Sequence, residues 1–277
     1  MNDLNLFNDI AATLRQLADQ LEQVAQAGPQ RGAAASSPKK SQPLSVEAAL
    51  AARDVRTRSI AAVGRGEQAL FPVAMHIAST YPRCAPLLAA IKRAQGTTRG
   101  VSLDLKKQSQ ADVSAITTLG TLASRAQLLP DYKYRPSPTK VLTCSAPVTP
   151  LAIRFFTGGW LELHAFAALE GVANDAGWRI EPRVNITLPN EDQFELDIAM
   201  AGPKGKLIWL EAKTGNNFAA LLPKYRSMTK VLGTGESHAF LLAPELTGSP
   251  LEVAAASAGM TPVTLEDFVD VISGRLG

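Results

Sequence analysis

The sequence predicts an α/β protein in which a mixed sheet follows a small helical domain and an amphipathic N-terminal helix. Residues 155–215 combine a helical pattern with two strands, and residues 238–244 form the continuous apolar run typical of a buried strand. With 277 residues, 46% of them hydrophobic, the chain is long enough for two folded domains and a tail. The predicted ranges are an oligomerisation helix over 1–27, a flexible linker over 28–43, a basic helical domain over 44–146 and an α/β domain over 147–277.

The N-terminal helix carries apolar residues at intervals of three and four, as the seam of a coiled coil does. They are Phe7, Ile10, Leu14, Leu17, Leu21 and Val24. One helix cannot bury such a stripe alone, so it either pairs with its copy in another subunit or docks on its own domain. We expect a homo-oligomer formed through residues 4–24, followed by a linker rich in Gly, Ala, Ser and Pro.

Charge is distributed unevenly along the chain. Residues 1–146 hold 18 Lys and Arg against 10 Asp and Glu, whereas residues 147–277 hold 10 against 15. This asymmetry favours a front half that meets a polyanion such as nucleic acid and a rear half that holds a metal ion. Residues 44–63 are predicted to be helical, which places Arg53, Arg56 and Arg58 near the middle of one helix as candidate phosphate contacts.

Residues 70–146 follow the order helices, strand, helix and hairpin, which is typical of a winged helix. Its last helix is poor in the Arg, Asn and Gln that read base edges, so binding without sequence preference, or packing against protein, fits it better. The candidate phosphate contacts of this domain and of a later helix in the rear domain are Arg125, Lys133, Arg135, Lys140, Lys224 and Arg226. For Lys224 and Arg226 the competing interpretation is an exposed charge, and for Arg53, Arg56 and Arg58 it is a solvated helix face.

The candidate site lies on the two strands of a predicted hairpin. Glu211 and Lys213 point to one face of the second strand because side chains alternate along a strand. Asp197 lies on the first strand, and the turn at residues 202–205 is suited to joining the two strands. We therefore expect Asp197 and Glu211 side by side. Glu162, on the preceding helix, is expected to reach the same place.

Two carboxylates and the backbone carbonyl of Ala212 make an all-oxygen site of the kind that Mg²⁺ or Mn²⁺ prefers. A divalent cation neutralises phosphate charge and lowers the pKa of bound water, as phosphodiester hydrolysis requires. Lys213 is expected to hold or polarise that water, and Glu162 to be a further ligand, direct or through water. An isolated Glu-x-Lys on a strand is usually a surface ion pair. Its order after a helical Glu and a strand Asp favours the metal site.

This succession resembles the PD-(D/E)xK nuclease superfamily, matching its helical Glu (Glu162), its Asp (Asp197) and its Glu-x-Lys (Glu211 and Lys213). More narrowly, GGWLE, ELDI, LEAKTG and VLGTG followed by AFLLAP look like the nuclease domain of CRISPR ancillary nucleases controlled by cyclic oligoadenylate. The resemblance covers roughly residues 155–272. It implies a restriction-endonuclease-like core, hydrolysis of DNA or RNA that depends on Mg²⁺ or Mn²⁺, and a role in antiviral defence or nucleic-acid processing.

The sequence departs from these families in two ways. Leu196 stands where the superfamily has Pro before its Asp. The sequence also lacks a βαβ series like the nucleotide-sensing domain of the ancillary nucleases, so control by cyclic oligoadenylate is not expected.

Other features limit the function classes. Cys84 and Cys144 lie far apart without metal-type spacing, which favours a reduced, cytoplasmic setting. No run of about 20 apolar residues suggests a membrane span. Two alternatives to a nuclease remain open, namely a nucleic-acid-binding adaptor without catalysis and a structural subunit of a larger complex. The adjoining carboxylates favour the enzyme, but the sequence does not distinguish DNA from RNA.

Overall fold

A computed structural model describes residues 44–97, 99–215 and 218–277. The oligomerisation helix predicted for residues 1–27 and the linker predicted for 28–43 lie outside these ranges. The described residues belong to one compact unit. Within the described ranges, every helix is too short or too polar to cross a membrane.

The secondary structure alternates between helices and strands along the described chain. The helices are α1 (Val46–Ala51), α2 (Arg65–Gln68), α3 (Phe71–Ser79), α4 (Tyr81–Ala94), α5 (Gln110–Arg125), α6 (Pro150–Arg154), α7 (Trp160–Asp175), α8 (Leu222–Leu232), α9 (Gly235–His238), α10 (Ser249–Ala258) and α11 (Phe268–Ser273). The strands are β1 (Arg56–Ile60), β2 (Val101–Asp104), β3 (Lys133–Arg135), β4 (Val141–Cys144), β5 (Arg179–Thr187), β6 (Gln193–Ala201), β7 (Leu207–Ala212), β8 (Ala239–Leu242) and β9 (Thr261–Val263).

A mixed six-stranded sheet in the order β1-β5-β6-β7-β8-β9 forms the centre of the protein. Strands β1, β5, β6 and β7 pair antiparallel, and β7, β8 and β9 pair parallel. Every residue of β7 is buried, as expected of a strand covered on both faces. One face packs on α7 and α11, and the other packs on α1, α8 and α10. The result is the α/β architecture with a mixed sheet that the sequence predicts.

The segment from α3 to β4 adds a second, smaller sheet. Its elements follow in the order α3, α4, β2, α5, β3, β4, and the sheet order is β2-β4-β3. Gly120 of α5 lies so close to the ring of Tyr132 that a Cβ atom there would come within 2.2 Å of it. Helix α3 packs against α7, so the core of this segment is continuous with one face of the main sheet.

The prediction of a single helix over residues 44–63 is wrong. Helix α1 ends at Ala51, Asp54 adopts a left-handed conformation (φ 58°), and Arg56–Ile60 form the edge strand β1. The alternating sequence Arg-Thr-Arg-Ser-Ile suits a half-exposed strand, and pairing with β5 supplies its hydrogen bonds. Arg53, Arg56 and Arg58 therefore do not share a helix. The domain boundary predicted between 146 and 147 remains a prediction, although β1 precedes it and belongs to the main sheet.

Candidate active site

Asp197 and Glu211 lie on neighbouring strands of the main sheet. The ladder between β6 and β7 pairs Ile198 with Leu210, and Asp197 and Glu211 are the residues that follow this pair at the end of the ladder. Both side chains are almost completely buried, with exposed fractions of 4% and 3%. The turn at Pro203–Gly205 joins the two strands, as the sequence predicts. The structure thus brings together two buried carboxylates.

Lys213 bridges these carboxylates. Its Nζ donates a hydrogen bond to Asp197 Oδ2 at 3.0 Å and lies 2.6 Å from Glu211 Oε1. The backbone N–H of Ala212 donates to the same Oδ2 atom at 2.8 Å. We call Asp197, Glu211 and Lys213 the strand cluster. When both carboxylates are ionised, two negative charges stand against one positive charge and the cluster has a net negative charge.

The electrostatics of the strand cluster follow from burial. Burial raises the pKa of Glu211, and the charge of Asp197 raises it further, while Lys213 acts in the opposite direction. Burial alone would lower the pKa of Lys213, but the Glu211 and Asp197 carboxylates outweigh it and raise that pKa above its usual range. Ionised Glu211 is therefore costly in this setting, and an additional cation beside it would reduce that cost.

Two aromatic side chains that were not predicted as site residues surround the Glu211 carboxylate. Trp209 Nε1 donates a hydrogen bond to Glu211 Oε2 at 3.2 Å. The Tyr225 ring lies edge-on to the Trp209 ring, with 5.8 Å between their centroids. Burial raises the pKa of Tyr225, and the negative charge of Glu211 raises it further. The only sequence signal was that Trp209 shares a strand face with Glu211.

A cleft of about 640 Å³ opens beside the strand cluster. Its lining residues are Pro150, Ile153, Arg154, Thr157, Gly158, Gly159, Glu162, Ala212, Lys213 and Thr214. Phe155–Gly159 form a wide π-type turn between α6 and α7, and such turns often occur at functional sites. A Cβ atom on Gly158 would lie 3.0 Å from Thr214 Oγ1, so glycine allows this turn to approach the end of β7.

Glu162 faces this cleft from the first turn of α7, and its side chain is partly buried. Burial raises its pKa, and the charge of Asp197 raises it further. Its Oε2 accepts a hydrogen bond from Arg154 at 3.3 Å. Glu162 is therefore at the site, but an arginine that the sequence analysis did not single out holds its carboxylate.

The donor set of the strand cluster suits a hard divalent cation because it consists of carboxylate oxygens with excess negative charge. Ala212 lines the same cleft, so its carbonyl remains a candidate ligand. No three His, Cys, Asp or Glu side chains in the described part of the chain are grouped closely enough to hold a metal ion. The role of Glu162 as a further ligand, direct or through water, stays a prediction.

The predicted phosphate contacts lie on separate elements. Arg53 donates to the backbone carbonyls of Leu232, Ala49 and Gly205, which favours a structural role. On the edge strand β1, Arg56 pairs with Glu191 and Arg58 donates to Gln193. The Lys224 ammonium lies 4.0 Å from the centroid of the Phe194 ring. The remaining candidates are exposed on α5, the small sheet and α8, namely Arg125, Lys133, Arg135, Lys140 and Arg226.

Comparison with known proteins adds evidence about the fold. No protein-family model and no curated protein matches this chain. Among solved structures, protein VC1899 from Vibrio cholerae matches with a TM-score of 0.61 and 18% identity over 90% of this chain. Can2 from Sulfobacillus thermosulfidooxidans, solved in complex with cyclic tetra-adenylate, matches with a TM-score of 0.58 and 16% identity over 87% of it. The chain spans 64% of the length of each. Across most of its length, this protein therefore has the fold of these two structures.

Proposed function

We propose that this protein is a metal-dependent nuclease that hydrolyses phosphodiester bonds of DNA or RNA at the strand cluster. The observation that carries the proposal is the meeting of Asp197, Glu211 and Lys213 on adjacent strands beside an open cleft. The PD-(D/E)xK resemblance names these same three residues. The likeness of the fold to Can2 supports a role in nucleic-acid-directed defence.

Each residue has a role that its surroundings support. Asp197, Glu211 and the Ala212 carbonyl would hold Mg²⁺ or Mn²⁺, and Glu162 would be a further ligand, directly or through water. When bound, such a cation neutralises phosphate charge and lowers the pKa of its water. Lys213 carries a positive charge at the mouth of the cleft, where it attracts the phosphate and orients the attacking water. Trp209 fixes the orientation of the Glu211 carboxylate.

Exposed basic residues outside the cleft would bind a long polyanion by electrostatic attraction. Arg125, Lys133 and Arg135 lie on or next to the small sheet, whose element order supports the winged-helix interpretation. Lys224 and Arg226 lie on α8, which packs over the same sheet face that Glu211 occupies. Since these residues would contact phosphates and not base edges, we expect the protein to bind nucleic acid without sequence preference.

A second candidate is nucleic-acid binding without cleavage. The close contacts of Lys213 with both carboxylates favour it, because a lysine that satisfies both of them leaves less need for a metal ion. The two candidates differ in whether Mn²⁺ binds and whether phosphodiester bonds break.

The test incubates the purified 277-residue protein with labelled single- and double-stranded DNA and RNA, in Mn²⁺ and in EDTA. The Asp197→Asn variant removes the charge that would hold the cation, and Asp192→Asn, in the exposed turn before β6, is the matched control. Cleavage by the parent and by Asp192→Asn in Mn²⁺, but not by Asp197→Asn, supports the nuclease. Binding without cleavage in any condition supports the second candidate and overturns the first.

A further inference from the structure

A row of alternating charges runs from the main sheet to the wall of the cleft. Arg183 Nη2 lies 2.9 Å from Glu67 Oε2, Glu67 Oε1 lies 3.7 Å from Arg154 Nη1, and Arg154 Nη2 lies 3.3 Å from Glu162 Oε2. We call these four residues the arginine chain. They come from β5, α2, α6 and α7. Their meeting is therefore a product of the fold rather than of neighbouring sequence.

The inner end of the arginine chain is rigidly held. The Arg183 side chain is buried, and its backbone adopts a left-handed conformation (φ 48°) where the pairing between β5 and β6 skips a position. The position skipped on β6 is Asp197. Glu67 Oε2 also accepts a hydrogen bond from the backbone N–H of Gly64 at 3.3 Å, which caps α2. A buried arginine and a helix cap thus fix one oxygen of Glu67 and leave the other facing Arg154.

At the other end of the arginine chain, Arg154 is accessible to a ligand in the cleft. The Arg154 side chain is 47% exposed and lines the same cleft as Lys213. Within the described residues, its guanidinium makes one hydrogen bond, to Glu162. A guanidinium carries five N–H donors in a planar fork that matches the geometry of phosphate oxygens. Most of the donors of Arg154 therefore remain available in the cleft.

We propose that Arg154 binds a non-bridging phosphate oxygen of nucleic acid in the cleft, and that Glu67, anchored by Arg183, positions it. The inference rests on the proposed function, because it names the residue that receives the substrate of that same site. An arginine held between two acids before the substrate arrives loses little conformational entropy on binding. A mere surface ion pair would not need a partner that is itself fixed by a buried arginine.

The test measures binding of a short fluorescein-labelled DNA in EDTA, over a range of salt concentrations. Arg154→Met should weaken binding about tenfold and reduce the salt slope by about one, because one phosphate contact is lost. Arg154→Lys should keep the slope but bind more weakly than the parent. The matched control is Arg83→Met, since Arg83 is similarly exposed (54%) and also lies 3.7 Å from its acidic partner, Asp112. An unchanged slope for Arg154→Met, or an equal loss for Arg83→Met, overturns the proposal.

Glu67→Gln tests the positioning role separately. It should lower affinity severalfold but leave the salt slope unchanged, because Arg154 keeps its charge and loses only its fixed orientation. A thermal melt identifies any loss of fold that removing the partner of buried Arg183 causes, and in that event Arg154→Lys and Arg154→Met decide the proposal. Unchanged affinity in a folded Glu67→Gln protein overturns the positioning role. Because no metal is present, these results do not depend on whether the protein cleaves DNA.

Discussion

The strand cluster and the arginine chain both place charges beside the same cleft, but they are built in opposite ways. In the strand cluster, two buried carboxylates share a single lysine, so the set has a net negative charge when both carboxylates are ionised. In the arginine chain, two arginines alternate with two glutamates, and the set is neutral. An excess of buried negative charge calls for a further cation, whereas balanced charges hold one another in place. The first arrangement is suited to binding a metal ion and the second to orienting an arginine.

The largest effect that we expect comes from Asp197→Asn, which removes one negative charge from the strand cluster. Cleavage in Mn²⁺ should fall by roughly a thousandfold or more, the scale seen when one member of a catalytic unit is lost. Calorimetric titration should show a strong loss of Mn²⁺ affinity as well. DNA binding in EDTA should remain, because it depends on the exposed basic residues and Arg154. Cleavage at the parental rate would show that the strand cluster is not catalytic.

A second prediction compares the stability of the two charge sets. Lys213→Met leaves Asp197 and Glu211 buried without their shared cation and should cost about 3 kcal/mol in urea denaturation with EDTA. Mn²⁺ should then raise the free energy of unfolding of this variant more than that of the parent. A cation that binds only the folded state stabilises it, and in the variant Mn²⁺ replaces the missing positive charge. Arg154→Met removes a half-exposed charge and should cost less than about 1 kcal/mol with or without Mn²⁺. Equal responses of both variants to Mn²⁺ would argue against a metal site between the carboxylates.

The two sets also differ in how far the sequence could predict them. Asp197 and Lys213 are 16 residues apart on a hairpin, where strand alternation and one turn are enough to bring them together. Arg183 and Glu67 are 116 residues apart, and no local pattern connects them. For the same reason, the hairpin and the buried strand within residues 238–244 could be predicted from local patterns, but the place of Arg56–Ile60 at the edge of the sheet could not. Pairing between distant strands is decided by the whole fold, and an alternating edge strand that follows a helix is easily taken for its continuation.

A third prediction concerns His164, a buried titratable group that belongs to neither set. Burial lowers the pKa of His164 to about 4, and its ring packs against Phe268 with its Nδ1 3.1 Å from the sulfur of Met75. In the unfolded chain, His164 takes up a proton below a pKa of about 6.5, whereas in the folded protein it does so only near pH 4. Above about pH 6.5, His164 therefore takes nothing from the free energy of unfolding. That free energy should fall by about 3 kcal/mol as the pH drops towards 4.

Urea denaturation between pH 7 and pH 4 measures this loss. His164→Gln has no group that titrates in that window, so its stability should vary less with pH than that of the parent. If the parent and the variant show parallel pH profiles, His164 is not the source of the acid sensitivity.

The smallest predicted effect distinguishes Arg53 from Arg56, two arginines that lie close together in the sequence. Arg53 donates to three backbone carbonyls, from α1, the end of α8 and the turn before β7, so it links parts of the fold that lie far apart in sequence. The Arg56 side chain is 68% exposed, and among the described residues its guanidinium pairs only with Glu191, whose side chain is 75% exposed. Arg53→Met should therefore cost about 2 kcal/mol in thermal or urea denaturation, because the carbonyls lose charged donors. Arg56→Met should change stability by less than about 0.5 kcal/mol and, if β1 contacts phosphate, should reduce the salt slope of DNA binding. Comparable destabilisation by both changes would show that the backbone contacts of Arg53 do not stabilise the fold.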